Sequence, residues 1–77
     1  MIKINKETVH VNSMAIAKAD YDYANEILDL KFNDGKTYSY IGVEPFTFEG
    51  MRSSESIGKF INKHIIKANK YEYAFKK

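Results

Sequence analysis

The chain has no cysteine, no tryptophan, one proline and four glycines among its 77 residues. Without cysteine it can have neither a disulfide framework nor a thiolate zinc site. No apolar run approaches the roughly 18 residues that suggest a membrane-spanning helix. The opening Met-Ile-Lys-Ile-Asn-Lys is too polar for a secretory leader. No internal repeat or low-complexity segment occurs. What remains is 44% hydrophobic and 29% charged, too apolar for a disordered chain. The expectation is a single domain over residues 1–77, cytoplasmic, bound to no membrane and needing no cofactor. At this length the stability margin is thin, and small proteins often widen it by oligomerising.

Net charge is only +2 but is unevenly divided. Residues 1–49 carry five lysines against eight carboxylates, whereas residues 50–77 carry seven basic residues against two. A basic second half points to an anionic partner, although lysine-rich surface helices are also common simply for solubility.

Periodicity predicts an α+β fold. Thr8 to Val11 has β character, and Asn12-Ser13 breaks it. Small alternating residues follow from Ala15 to Tyr21, ending in a polar connection over Asp20 to Asn25. In Glu26 to Phe32, Leu28, Leu30 and Phe32 share one face while Asp29 and Lys31 take the other. Asn33-Asp34-Gly35-Lys36 is a hairpin signal, because Gly35 can take the positive φ that the turn requires. The return strand Thr37–Ile41 puts Tyr38 and Tyr40 on one face, but which sheet face depends on register. Pro45 suits the first turn of a short helix over Phe46 to Arg52, with Phe48 and Met51 as core contacts. In a second helix Ile57, Phe60, Ile61, His64, Ile65 and Ala68 form one apolar stripe, with Lys59, Lys63, Lys67 and Lys70 opposite. Tyr71 to Phe75 alternates like a strand with three aromatics on one side. The expected order is therefore a β-meander of about four strands, two helices and a terminal strand or extended tail returning to the sheet.

The run from Ser53 to Ile65 holds the residues that could carry chemistry. A Walker-type loop needs two glycines and a hydroxyl after the lysine; here Ser53 stands at the first glycine position and Phe60 follows Lys59. Serine catalysis needs a neighbouring base, and His64 lies about two turns beyond Ser56 on the apolar stripe. The two histidines, His10 and His64, have no metal-ligand spacing, and Asp20 and Asp22 are only a fragment of a calcium loop. No enzyme is expected, and no metal. Ser54 or Ser56 instead caps the helix, with Glu55 in its first turn. Gly58 costs a helix roughly 1 kcal/mol relative to alanine. Something must therefore approach it closely, either the protein's own sheet or an anion resting on the helix amides. Ile66 falls within the lysine stripe and is hard to place in a monomer core; a self-association surface would bury it, although a single exposed isoleucine is common.

These residues together resemble the KTSC domain, a small module named for its place at the C-terminus of some lysyl-tRNA synthetases. The pattern runs Val11-x-Ser13-x-x-Ile16, then Tyr21-Asp22, then Leu28-x-Leu30-x-Phe32-x-x-Gly35-x-x-Tyr38-x-Tyr40-x-x-Val43. It closes with Ser56-x-Gly58-x-Phe60-x-Asn62-x-x-Ile65 and Tyr71, covering about residues 9–75. Ser54 stands where the family has alanine, and the segment from Ile65 to Tyr71 is about two residues longer, so the last helix is expected to run on. The resemblance implies a stand-alone bacterial or phage protein touching RNA or a nucleotide. The expected function is a non-catalytic binding module for nucleic acid, RNA first, or a nucleotide. Its ligand surface would comprise Ser54, Ser56, Gly58, Lys59, Asn62 and Lys63 with Tyr38 and Tyr40, helped by Arg52, Lys76 and Lys77. The alternative is a homo-oligomeric phage counter-defence protein that sequesters a signalling nucleotide or binds a host protein, with Ile66, Tyr71 and Tyr73 at its interface.

Overall fold

The computed structural model describes residues 5–76. Five antiparallel strands form one sheet in chain order: β1 (Lys6–His10), β2 (Ile16–Asp22), β3 (Ile27–Phe32), β4 (Thr37–Ile41) and β5 (Glu72–Lys76). Between β4 and β5 come helix α1 (Pro45–Arg52), helix α2 (Ile57–Ile61) and a π-helical turn over Asn62–Ile66. No helix among the described residues is long and apolar enough to cross a membrane.

Each turn follows from a local residue choice. Gly35 takes φ +91° in the β3–β4 hairpin, and the Asp34 carboxylate accepts from the Lys36 amide at 3.0 Å. The β2–β3 turn is held by Asp22, whose carboxylate accepts from the Ala24 and Asn25 amides and the Asn25 side chain. Asp20 to Asp22 belong to β2 rather than to the connection that polarity suggested, because Tyr21 is drawn into the core. Glu26, with φ 55°, closes the turn instead of opening β3. In β2, Ile16 and Ala19 are both buried although three residues apart. A bulge between Ile16 and Lys18 inserts Ala17 and resets the alternation.

Register settles which face the tyrosines share. Tyr40 lies opposite Leu28 and Tyr73, and Tyr38 opposite Leu30 and Phe75, so all four aromatics stand on the helix-covered face. The core gathers Ile16, Ala19, Tyr21, Leu28, Leu30 and Tyr40 from the sheet with Phe48, Met51, Ile61 and Ile65 from the helical layer. Phe48 stacks on Tyr21 at 4.4 Å between centroids. The Tyr21 hydroxyl donates to the Val43 carbonyl at 2.5 Å. Burial above all, with the negative charge of Glu26 next, pushes the Tyr21 phenol up to about 12. The opposite face is polar: Asp29 accepts from Ser39 at 2.6 Å and pairs with Lys76 at 2.7 Å.

The helical layer departs from the sequence expectation after Ile61. The Lys67 amide donates to the Asn62 carbonyl at 2.8 Å, a bond spanning five residues. Such a turn advances each residue by less than the α-helical 100°, so later positions lag behind the wheel. His64 and Ala68, expected on the apolar stripe, are exposed. Ile66, expected among the lysines, turns inward and packs partly buried against the core. The helix does not run on: Lys67 caps it, and Asn69 adopts a left-handed φ of 55°.

Candidate functional site

The two parts of the sequence pattern that lie farthest apart meet in one groove. Asn12, Ser13, Met14, Ala15 and Ile16 of the β1–β2 loop and β2 form one bank, and Ser56, Gly58, Lys59, Asn62 and Ile66 form the other, with Phe32 at the end. The groove encloses about 590 Å³, within the size range of small-ligand sites. Phe32 and Ile66 give it apolar surface over the buried Ile16, and Met14 stands fully exposed at its rim.

Gly58 explains why these banks can touch. A Cβ built there would lie 2.9 Å from both the Cβ and the Oγ of Ser13. The close approach inferred from a glycine in a first helical turn is therefore made by a loop side chain rather than by the sheet backbone. Ser13 is itself fixed: its Oγ accepts from the Ala15 and Ile16 amides at 3.2 and 3.4 Å. Its carbonyl accepts from the Asn33 side chain at 3.0 Å. Ser56 is the N-cap, its Oγ accepting from the Lys59 amide at 3.4 Å. Ser54 bonds instead to the Ser56 backbone, and Glu55 lies before the cap rather than in the first turn. Both hydroxyls nearest Gly58 are thus committed to backbone amides. Asn62 and Lys59 supply the polar groups of the helix bank, and no hydrogen bond or ion pair among the described residues engages either side chain's polar end.

The remaining expected residues divide. Lys63, Lys67 and Lys70 are exposed and, like Lys59, take part in no ion pair among the described residues. Arg52 is engaged by Glu7 at 2.6 Å and by Glu49, and Lys76 by Asp29, so neither is an unengaged cation. Lys77 lies outside the described residues. Tyr40 is buried beneath Tyr73, with centroids 5.3 Å apart, and cannot present a face to a ligand. Tyr38 is half-buried between Phe32, Tyr73 and Phe75. With Tyr38, Tyr40, Phe32, Ile66, Asn69 and Tyr73 lining it, a shallower depression of about 250 Å³ adjoins the groove across Phe32 and Ile66. Tyr71 serves a different depression, with Phe46, Phe60, His64 and Lys70. There the His64 ring lies 4.4 Å from Phe60 and the Lys70 ammonium 5.2 Å from the Tyr71 centroid.

Met14, Ile16 and Phe32 were not among the residues expected to contact a ligand. Ile16 and Phe32 read as ordinary strand positions, and only the juxtaposition of the β1–β2 loop with α2 makes them walls of a groove. Gly58 carried the signal that something sits against it, but no spacing in the chain names Ser13 as that neighbour.

Comparison with known proteins agrees with this architecture. A crystal structure of a KTSC domain protein from Yersinia pestis superposes with a TM-score of 0.80 at 26% identity, covering 94% of this chain and 99% of that one. A protein of Tsukamurella paurometabola is 46% identical over 52 residues, spanning 68% of this chain and 78% of the relative. An uncharacterized protein of Stutzerimonas stutzeri is 28% identical over 65 residues, spanning 84% and 90%. The family model for the KTSC domain matches residues 12–71, which include both banks of the groove. The chain belongs to the KTSC domain family.

Proposed function

We propose that this protein is a non-catalytic module that binds single-stranded nucleic acid, RNA first, by seating one nucleotide in the groove between Ser13 and Asn62. The observation that carries the reading is the chemistry of the groove: an apolar surface of Met14, Phe32 and Ile66 beside a bank bearing Lys59 and Asn62. A base is flat and apolar on its faces, and its phosphate is anionic. Stacking or apolar contact for the base next to cations for the backbone is the common solution for single strands. Lys63, one turn on from Lys59 and in no ion pair among the described residues, would meet the neighbouring phosphate. Asn62 offers both a donor and an acceptor to a base edge.

Fluorescence anisotropy with a labelled single-stranded RNA at low salt tests this. Lys59→Glu with Lys63→Glu should weaken binding at least tenfold and lower the salt slope by about 1.4, at roughly 0.7 per phosphate contact for single strands. Asn62→Ala should weaken it without changing that slope. An absence of RNA binding at low salt, or binding indifferent to both changes, would remove this reading.

A further inference from the structure

The other end of the sheet carries a separate feature. β5 is an edge strand, and all five of its residues are exposed. Tyr73 and Phe75 keep 61% and 54% of their surface in water although they stand on the core side of the sheet. Edge strands are usually blunted by proline, a bulge or inward charges. β5 has no proline, and its register against β4 is unbroken from Glu72 to Lys76. The opposite edge strand, β1, is also five residues long, proline-free and unbroken against β2, but it reads Lys6-Glu7-Thr8-Val9-His10 and carries no exposed phenylalanine or tyrosine.

The sequence of β5, Glu72-Tyr73-Ala74-Phe75-Lys76, is complementary to itself when read in the opposite direction. About a two-fold axis at Ala74, Glu72 faces the partner's Lys76, Tyr73 faces the partner's Phe75, and Ala74 faces its own copy. Opposite charges and paired aromatics are the cross-strand combinations that stabilise antiparallel pairs. The rings are already held on one side, with Tyr38 edge-on to Phe75 at 5.4 Å and Tyr40 stacked beneath Tyr73. From this we infer that β5 pairs antiparallel with β5 of a second copy, centred on Ala74, so that two five-stranded sheets become one continuous sheet of ten. Lys76, which reaches across its own sheet to Asp29, then lies between Asp29 and the partner's Glu72. Because the axis stands perpendicular to the sheet, both helical layers lie on the same side. The pairing is independent of the RNA reading: the groove is lined by none of the β5 residues.

Sedimentation velocity and thiol cross-linking test the pairing directly. The wild-type mass should rise from monomer to dimer with concentration, while Phe75→Asp stays monomeric with an unchanged circular dichroism spectrum. Glu72→Lys and Lys76→Glu should each weaken the dimer at least tenfold. Mixed in equal amounts, they should restore it, because the mixed pair places opposite charges at both ends. The chain has no cysteine, so Ala74→Cys introduces a single thiol directly opposite its copy. It should oxidise to a covalent dimer at least tenfold faster than Glu72→Cys, whose copies lie four strand positions apart. A wild type monomeric at every concentration, a dimer that survives Phe75→Asp, or equal cross-linking rates at positions 74 and 72 would each overturn the proposal.

Discussion

One face of the sheet has two halves with opposite fates. Over β2 and β3, the helical layer seals Tyr21, Leu28 and Leu30 away from water, with Phe48 and Met51 pressed onto them. Over β4 and β5 the cover thins, so Tyr40 is buried, Tyr38 is half-buried and Tyr73 and Phe75 are open. Both halves are aromatic, so residue type alone does not decide which rings become core. The helical layer is short: α1 has eight residues, and α2 with its π turn spans Ile57 to Ile66. Its apolar side chains reach across the central strands and stop at Ile66. The same kind of ring is a stabilising element under the helices and an available surface beyond them.

The largest break in this comparison should come from the covered half. Phe48→Ala removes a fully buried ring stacked on Tyr21 and should cost about 3–5 kcal/mol by urea unfolding, whereas Phe75→Ser, at a half-exposed ring edge-on to Tyr38, should cost the monomer only about 1 kcal/mol. A comparable loss at both positions would erase the distinction.

Alkali probes the covered half next. The Tyr21 phenol sits near 12 when folded and near 10 when unfolded, so the folded state holds this proton more tightly. Its contribution is complete below pH 10 and is lost as pH rises from 10 to 12. Tyr23, also near 12 through burial and its bond to Glu49, adds to the same window. Thermal melts should therefore fall steeply across pH 10–12, and Tyr21→Phe should flatten that fall without abolishing it.

A smaller effect sharpens the boundary where the groove lies. Gly58→Ala should destabilise by about 1–2 kcal/mol, because the added methyl meets Ser13 Cβ and overpacking outweighs the gain in helix propensity. In a Ser13→Gly background the obstacle is gone, and the same change should stabilise by up to about 1 kcal/mol. The reversal of sign is the observation to look for. If Gly58→Ala destabilises equally in both backgrounds, the contact with Ser13 is not what holds the glycine in place.

The meander was legible because each of its devices is local. Alternation marked β3, Gly35 marked the hairpin, Pro45 marked α1, and the alternating tail marked the return of β5. Where a long-range contact decided the outcome, the chain gave less warning. The bulge at Ala17 arises from pairing with β3 and leaves no mark in β2. The π turn reverses the environments of His64 and Ile66, and a wheel drawn at 100° per residue has no way to anticipate it. The groove follows the same rule: Gly58 announced a close neighbour, but Ser13 and Phe32 joined it only through the fold. Tyr40 was lost as a ligand contact for a related reason, since its face depends on a register that periodicity alone leaves open.

The groove reading can be tested at every residue in a single titration. Adding single-stranded RNA to isotopically labelled protein, with amide shifts followed by NMR, should perturb Ser13 to Ile16 and Gly58 to Asn62 together, leaving the amides of β5 and those around Phe48 unmoved. Shifts confined to β5, or none at low salt, would contradict it.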